Sequence, residues 1–171
     1  TSIVQFDGYG HPSGIIPCSG TFNERLYDSL PLPDGRWCTL TREDNAWYVR
    51  GYDSSGALLW THQTFVDELW FNDSSSGNLE LHSSGNILFY NHASSLDPAS
   101  FIPRIHVLSP YTGQQLMEIS TEAAGLDNYY MREGALTADG GAVMLCATTD
   151  YETPYLIKLD AEGAVEWGRI A

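Results

Sequence analysis

The stretch Asp53-Ser-Ser-Gly56-Ala-Leu-Leu-Trp60 decides the fold, because it returns as Asp160-Ala-Glu-Gly163-Ala-Val-Glu-Trp167. A third copy, Leu108-Ser-Pro-Tyr-Thr-Gly113-Gln-Gln-Leu-Met117, carries one extra turn residue and has Met117 where the others have tryptophan. Asp-x-x-Gly between two apolar stretches suits a type I turn followed by a left-handed residue, which closes a hairpin. The aspartate carboxylate accepts backbone N–H bonds within such a turn, and glycine takes the positive φ without steric cost. Four places after each glycine stands a large side chain, Trp60, Met117 or Trp167. Each is placed to anchor its outgoing strand against a neighbouring sheet.

A second element precedes each copy. Leu32-Pro-Asp34-Gly35-Arg-Trp-Cys-Thr-Leu40 parallels His82-Ser-Ser84-Gly85-Asn-Ile-Leu-Phe-Tyr90 and Thr137-Ala-Asp139-Gly140-Gly-Ala-Val-Met-Leu145. Both elements recur at a spacing of about fifty residues, with insertions confined to loops. Trp37–Leu40, Ile87–Tyr90 and Ala142–Cys146 read as buried inner strands that follow the first turn. Each repeat therefore predicts four short strands; in the last they fall near Tyr130–Thr137, Ala142–Thr148, Tyr155–Asp160 and Ala164–Ile170. Thr64–Trp70 and Ala93–Phe101 are the only stretches with room for a helical turn. At the start, Ile3–Gly10 resembles the third strand and turn of such a unit, and Gly14–Cys18 its fourth strand. The expected organisation is a half-blade or terminal hairpin over 1–20, then repeats over 21–64, 65–121 and 122–171.

Composition bounds the function. The chain has 171 residues, 22 acidic against 8 basic, and a formal net charge of −14; Lys158 is its only lysine. A phosphate backbone would be repelled by that surface, which excludes nucleic acid as a partner. No apolar run approaches the roughly 18 residues that span a bilayer, so no membrane insertion is expected. A hydrophobic share of 43% separates the chain from disordered acidic tails. Cys18, Cys38 and Cys146 are widely spaced, without a Cys-x-x-Cys pair. Two readings of them stand: one disulfide with a leftover thiol, or three buried free thiols.

The run Leu136–Leu145 followed by Tyr155–Trp167 resembles the tandem repeats of bacterial quinoprotein-like β-propellers, and Val107–Met117 is similar to the variant of that repeat in PQQ-type propellers. The resemblance covers residues 27–171. It implies an all-β, β-propeller-like array of four-stranded antiparallel blades, about three and a half repeats here. The catalytic branch of that family implies a quinone, a calcium ion and a vicinal disulfide. The chain lacks adjacent cysteines and any Asp-x-Asp or Asn-x-Asp cluster, so no cofactor and no enzymatic activity are expected.

Other chemistry finds little purchase. The histidines at 11, 62, 82, 92 and 106 form no His-x-His or His-x-x-x-His pair, so no metal site is assigned. Asp73-Ser-Ser-Ser-Gly77-Asn78 has the look of a calcium loop but lacks its alternating carboxylates. No Gly-x-Ser-x-Gly elbow, P-loop or His-Glu-x-x-His is present, so no catalytic residue is named. Trp47, Tyr48, Trp70, Phe71, Tyr129 and Tyr130 are the candidate ligand-contact aromatics, since exposed rings stack on sugar faces; the competing reading has them filling the gap between blades. Asp53, Gly56, Trp60, Gly113, Met117, Asp160, Gly163 and Trp167 define the repeat. The sequence thus predicts a non-catalytic, extracellular or cell-surface repeat protein for protein recognition or self-assembly. Its expected partners are copies of itself or other protein chains. The alternatives are a carbohydrate-binding propeller and a propeller segment of a larger hydrolase or oxidoreductase.

Overall fold

A computed structural model of the protein describes residues 2–6, 12–17, 24–43, 46–66, 78–94, 101–124, 129–148 and 153–170. Strands β1 (Ser2–Phe6) and β2 (Pro12–Pro17) pair as a two-stranded antiparallel sheet. Sheet 1 follows, with β3 (Glu24–Pro31), β4 (Trp37–Glu43), β5 (Ala46–Tyr52) and β6 (Leu58–Val66). Sheet 2 holds β7 (Asn78–Leu81), β8 (Ile87–Ser94), β9 (Phe101–Leu108) and β10 (Gln115–Ser120). A single 3-10 turn, Glu122–Ala124, leads toward sheet 3, made of β11 (Tyr129–Leu136), β12 (Ala142–Thr148), β13 (Pro154–Leu159) and β14 (Val165–Ile170). The three four-stranded sheets are antiparallel meanders whose strands pair in chain order, and the fold is all-β.

The turns explain why each meander forms. Gly35, Gly85 and Gly140 close the first hairpin of each sheet, and Gly56, Gly113 and Gly163 close the third; all six have positive φ. Asp53 Oδ1 accepts the N–H groups of Ser55 and Ala57 at 2.8 and 2.9 Å. Asp160 Oδ1 repeats this with Glu162 and Ala164 at 3.0 and 2.8 Å. The extra residue in the middle copy lengthens its turn: Gly113 N–H reaches back to Ser109 O, whereas Gly56 reaches Asp53 O.

Packing is between sheets. Cys38, Leu40, Trp47, Val49 and Trp60 of sheet 1 meet Leu79, Ile87, Phe89 and Leu108 of sheet 2 in one core. Tyr90, Ile105 and Ile119 on the opposite face of sheet 2 meet Met131, Met144, Cys146, Ile157 and Leu159 of sheet 3 in another. Sheet 2 is therefore covered on both faces, which is why Ile87–Tyr90 is an unbroken apolar run with every residue buried. The leading strand of each later sheet lies against the sheet before it: β7 against β3, and β11 against β8 and β9. Asp28 Oδ2 ties β3 to β7 by accepting the Leu79 N–H at 2.8 Å.

Two expectations are corrected. Thr64–Val66 is not a helical turn but the end of β6, with Phe65 opposite Trp47 and Val66 opposite Ala46. Ala93 and Ser94 likewise extend β8, opposite Ile102 and Phe101. β-branched and aromatic side chains fit a pleated surface better than a short isolated helix. Residues 67–70 and 95–100 lie outside the described residues. Cys38 and Cys146 are both buried and free, while Cys18 lies outside the described residues.

Candidate functional site

The junction between sheets 1 and 2 is built around Trp60. Its strand partner is Gly51, where an added Cβ would stand 2.2 Å from the indole. The absent side chain lets the ring lie flat across β5 and reach the β9–β10 turn. There a Cβ on Gly113 would stand 2.3 Å from the same ring. Indole Nε1 donates to Pro110 O at 3.3 Å, and Arg36 Nη1 donates to the same oxygen at 3.0 Å. The Arg36 guanidinium also sits 4.3 Å above the Tyr111 ring. A tryptophan on the outer strand of one sheet is thus a knob, and the glycine turn of the next sheet is its socket.

Pairing register puts equivalent residues on the forward face of every sheet, the side facing its successor, because directly paired strand residues share a face. Trp60 opposite Gly51 corresponds to Met117 opposite Val107 and Trp167 opposite Lys158. Forward residues Cys38, Leu40 and Val49 are buried beneath sheet 2, and Leu88, Tyr90 and Ile105 beneath sheet 3. On sheet 3 the equivalents Val143, Leu145 and Leu156 are only half-buried, and Trp167 is 38% exposed where Trp60 is 8% exposed. Among the described residues, neither hydrophobic core includes a side chain from this face.

A cleft of about 710 Å³ opens beside it. Val143, Leu145 and Leu156 form its apolar wall, and Asp28, Glu80 and Glu133 add carboxylates from the leading strands. Its polar groups partly serve the fold: Asn78 Nδ2 donates to Tyr90 Oη at 3.2 Å, and Asp28 holds β7. Lys158 is buried on the same face, with Nζ 3.0 Å from Asp139 and 3.1 Å from Glu166. Hydrogen bonds from Thr137 and Lys158 hold the Asp139 carboxyl well below its usual range.

Of the candidate aromatics, Trp47 and Tyr48 stand on opposite faces of β5. Trp47 is buried in the first core, 4.4 Å from the Tyr27 ring, while Tyr48 is half-buried beneath Arg50 at 4.8 Å. Tyr129 and Tyr130 start β11, opposite Thr148 and Ala147. Trp70 and Phe71 lie outside the described residues. Burial pushes both the Cys38 and Cys146 thiols up to about 12, so neither offers a thiolate near neutral pH. Among the described residues, no group of three or more His, Cys, Asp or Glu is placed to hold a metal.

Sequence reading picked out Trp60 and Trp167 but missed the socket residues Gly51 and Pro110 and the uncovered wall. A signal for the wall was present. Ala142–Ala147 is apolar at every position, as Ile87–Tyr90 is, and a strand apolar on both faces needs cover on both. No protein-family model and no curated protein matches the chain.

Proposed function

We propose that the chain is a non-catalytic repeat protein of β-propeller type, working outside the cell or at its surface, whose task is protein recognition or self-assembly through sheet faces. The observation that carries this reading is the forward face of sheet 3. Cys38, Leu40 and Val49 on sheet 1 and Leu88, Tyr90 and Ile105 on sheet 2 are buried, whereas their counterparts Val143, Leu145 and Leu156 are only half-buried; at the outer strand, Trp167 is exposed much as Met117 is. Partly exposed apolar side chains gathered on one face, here around the ion-paired Lys158, suit an interaction site. The propeller arrangement is supported by the approach of leading strands β3 and β7, by β11 lying against sheet 2, and by the cleft that these strands border. It also agrees with a core made between sheets rather than within them.

Light scattering and negative-stain images of the purified chain test the reading. Rings or filaments of sheet-sized units are the expected result. A well-folded chain that stays strictly monomeric and captures no protein partner would sink it.

A further inference from the structure

We propose that the forward face of sheet 3 binds the opposite end of a second copy of this chain, with Trp167 of one copy seated over the Gly56 turn of the other. The inference rests on the self-assembly reading and gives it a partner and a register. Its first ground is continuity with an interface the chain already makes. Within one copy, Trp60 fills the socket at Gly113, and the outgoing strand β10 covers the next turn, where a Cβ on Gly163 would meet Ser120 O at 3.1 Å. Gly113 and Gly163 are accordingly buried, while Gly56, in the first turn of this kind among the four-stranded sheets, is only half-buried. Among the described residues, Trp167 thus has no socket, and the Gly56 turn has no side chain seated on it as Trp60 is seated on Gly113.

The second ground is chemical fit. Leu58 and Leu59, just past Gly56, are 47% and 49% exposed. Leu58 pairs with Tyr52, so it points away from sheet 2, at the exposed rim of that face. These leucines give Trp167 an apolar seat. Local charge also matches within an otherwise like-charged pair: Arg169 lies 5.5 Å from the Trp167 ring, and the Asp53 carboxylate stands in the receiving turn. The rest of sheet 1's outward face, with Thr39 and Tyr52, is already buried within the copy, so the seat is the rim turn rather than the whole sheet. Such a contact joins different surfaces, so it closes a ring or runs on as a filament. Because each copy carries −14, added salt strengthens association by screening the overall repulsion.

Mixed oxidative cross-linking tests this, in a background where Cys18→Ser removes the one cysteine not shown to be buried. Trp167→Cys and Leu58→Cys chains, each silent alone, should give a disulfide-linked dimer when mixed. In sedimentation equilibrium, Trp167→Ala should weaken association at least about tenfold, as for a buried aromatic anchor. Arg169→Glu should weaken it in the same direction, and Leu116→Ser on the middle sheet should leave it unchanged. Far-UV dichroism confirms that each variant folds. Assembly that survives both Trp167→Ala and Arg169→Glu, with no mixed cross-link, overturns this interface and leaves self-assembly standing by another route. A folded chain that stays monomeric at high concentration and high salt overturns the interface and the self-assembly reading together.

Discussion

Trp60 and Trp167 occupy the same place in two copies of one motif, yet one is core and the other surface. Trp60 is 8% exposed, clasped by Gly51, Gly113 and the Pro110 carbonyl. Trp167 is 38% exposed beside Lys158 and Arg169. The local turn is the same in both, down to the aspartate oxygen that accepts two backbone N–H groups. Met117, in the third copy, has a sheet beyond it and is still 37% exposed, so burial of this position takes the bare backbone of Gly51 and the Gly113 socket as well as a following sheet. A repeat unit of this kind specifies its surface and leaves its burial to a neighbour.

The most forceful way to break the comparison is to delete each ring in turn. Trp60→Ala removes a buried aromatic from the first core and should cost about 3–5 kcal/mol of unfolding free energy. Trp167→Ala, measured in dilute monomer, should cost under about 1 kcal/mol, because water already reaches the ring. Urea unfolding followed by tryptophan fluorescence reads both. Equal losses would mean that the two positions are not distinguished by their neighbours.

A smaller effect separates the socket from the turn. Gly85 and Gly113 both have positive φ, but a Cβ on Gly85 meets nothing within 4 Å, whereas one on Gly113 meets the Trp60 ring. Gly85→Ala should therefore cost about 1 kcal/mol, the penalty of a left-handed L-residue. Gly113→Ala carries that penalty plus about 1–3 kcal/mol of overpacking. In a Trp60→Ala background, the excess at Gly113 should vanish, because the ring it would strike is gone. Persistence of the excess would show that the turn, and not the indole, demands glycine.

How much of this was legible in the sequence follows from which interactions are local. The hairpin turns were, since Asp53, Gly56, Asp160 and Gly163 act within a few residues of themselves, and the last repeat's four strands lie within a residue or so of their expected bounds. The end of β6 was misread because Thr64–Val66 owes its strand state to Ala46 and Trp47 across the sheet, which no local window contains. Trp47 was recognised as an aromatic of interest, but its burial depends on Leu79, Phe89 and Leu108 from the next repeat. The free face was hidden for the opposite reason. Val143 and Leu145 look like any other buried-strand residues, and only the order of the sheets leaves them half-covered.

Acid offers the mildest probe of the same contrast, because the two described rings whose pKa burial lowers, His62 and His106, both belong to the junction of sheets 1 and 2. His62, paired with Val49, and His106, stacked 5.4 Å from Phe89, both face the interface of sheets 1 and 2. Neither Nε2 has a hydrogen-bond partner, and His106 Nδ1 meets Gln115 Oε1 at 3.1 Å with Glu118 and Arg104 nearby. Burial lowers the pKa of both rings below the ordinary 6.5; for His106 it outweighs the favourable Glu118 carboxylate. The unfolded chain therefore takes up these protons first. Stability is fully present above about pH 6.5, falls as the pH drops below it, and stops falling once the folded-state values are passed. The depressed carboxyls of Asp34, Asp53 and Asp139 stabilise the fold above their ordinary 3.8 and lose that contribution only below it, so they leave the fall between pH 6.5 and about 4.5 to His62 and His106. The urea midpoint should shift modestly between pH 7.5 and 5, and His106→Gln should flatten that shift. Amide exchange at pH 5 should quicken in β8 and β9 before it does in β12 and β13, because residues 129–170 contain no histidine. Equal acceleration in both pairs of strands would place the proton-sensitive element somewhere other than the Trp60 junction.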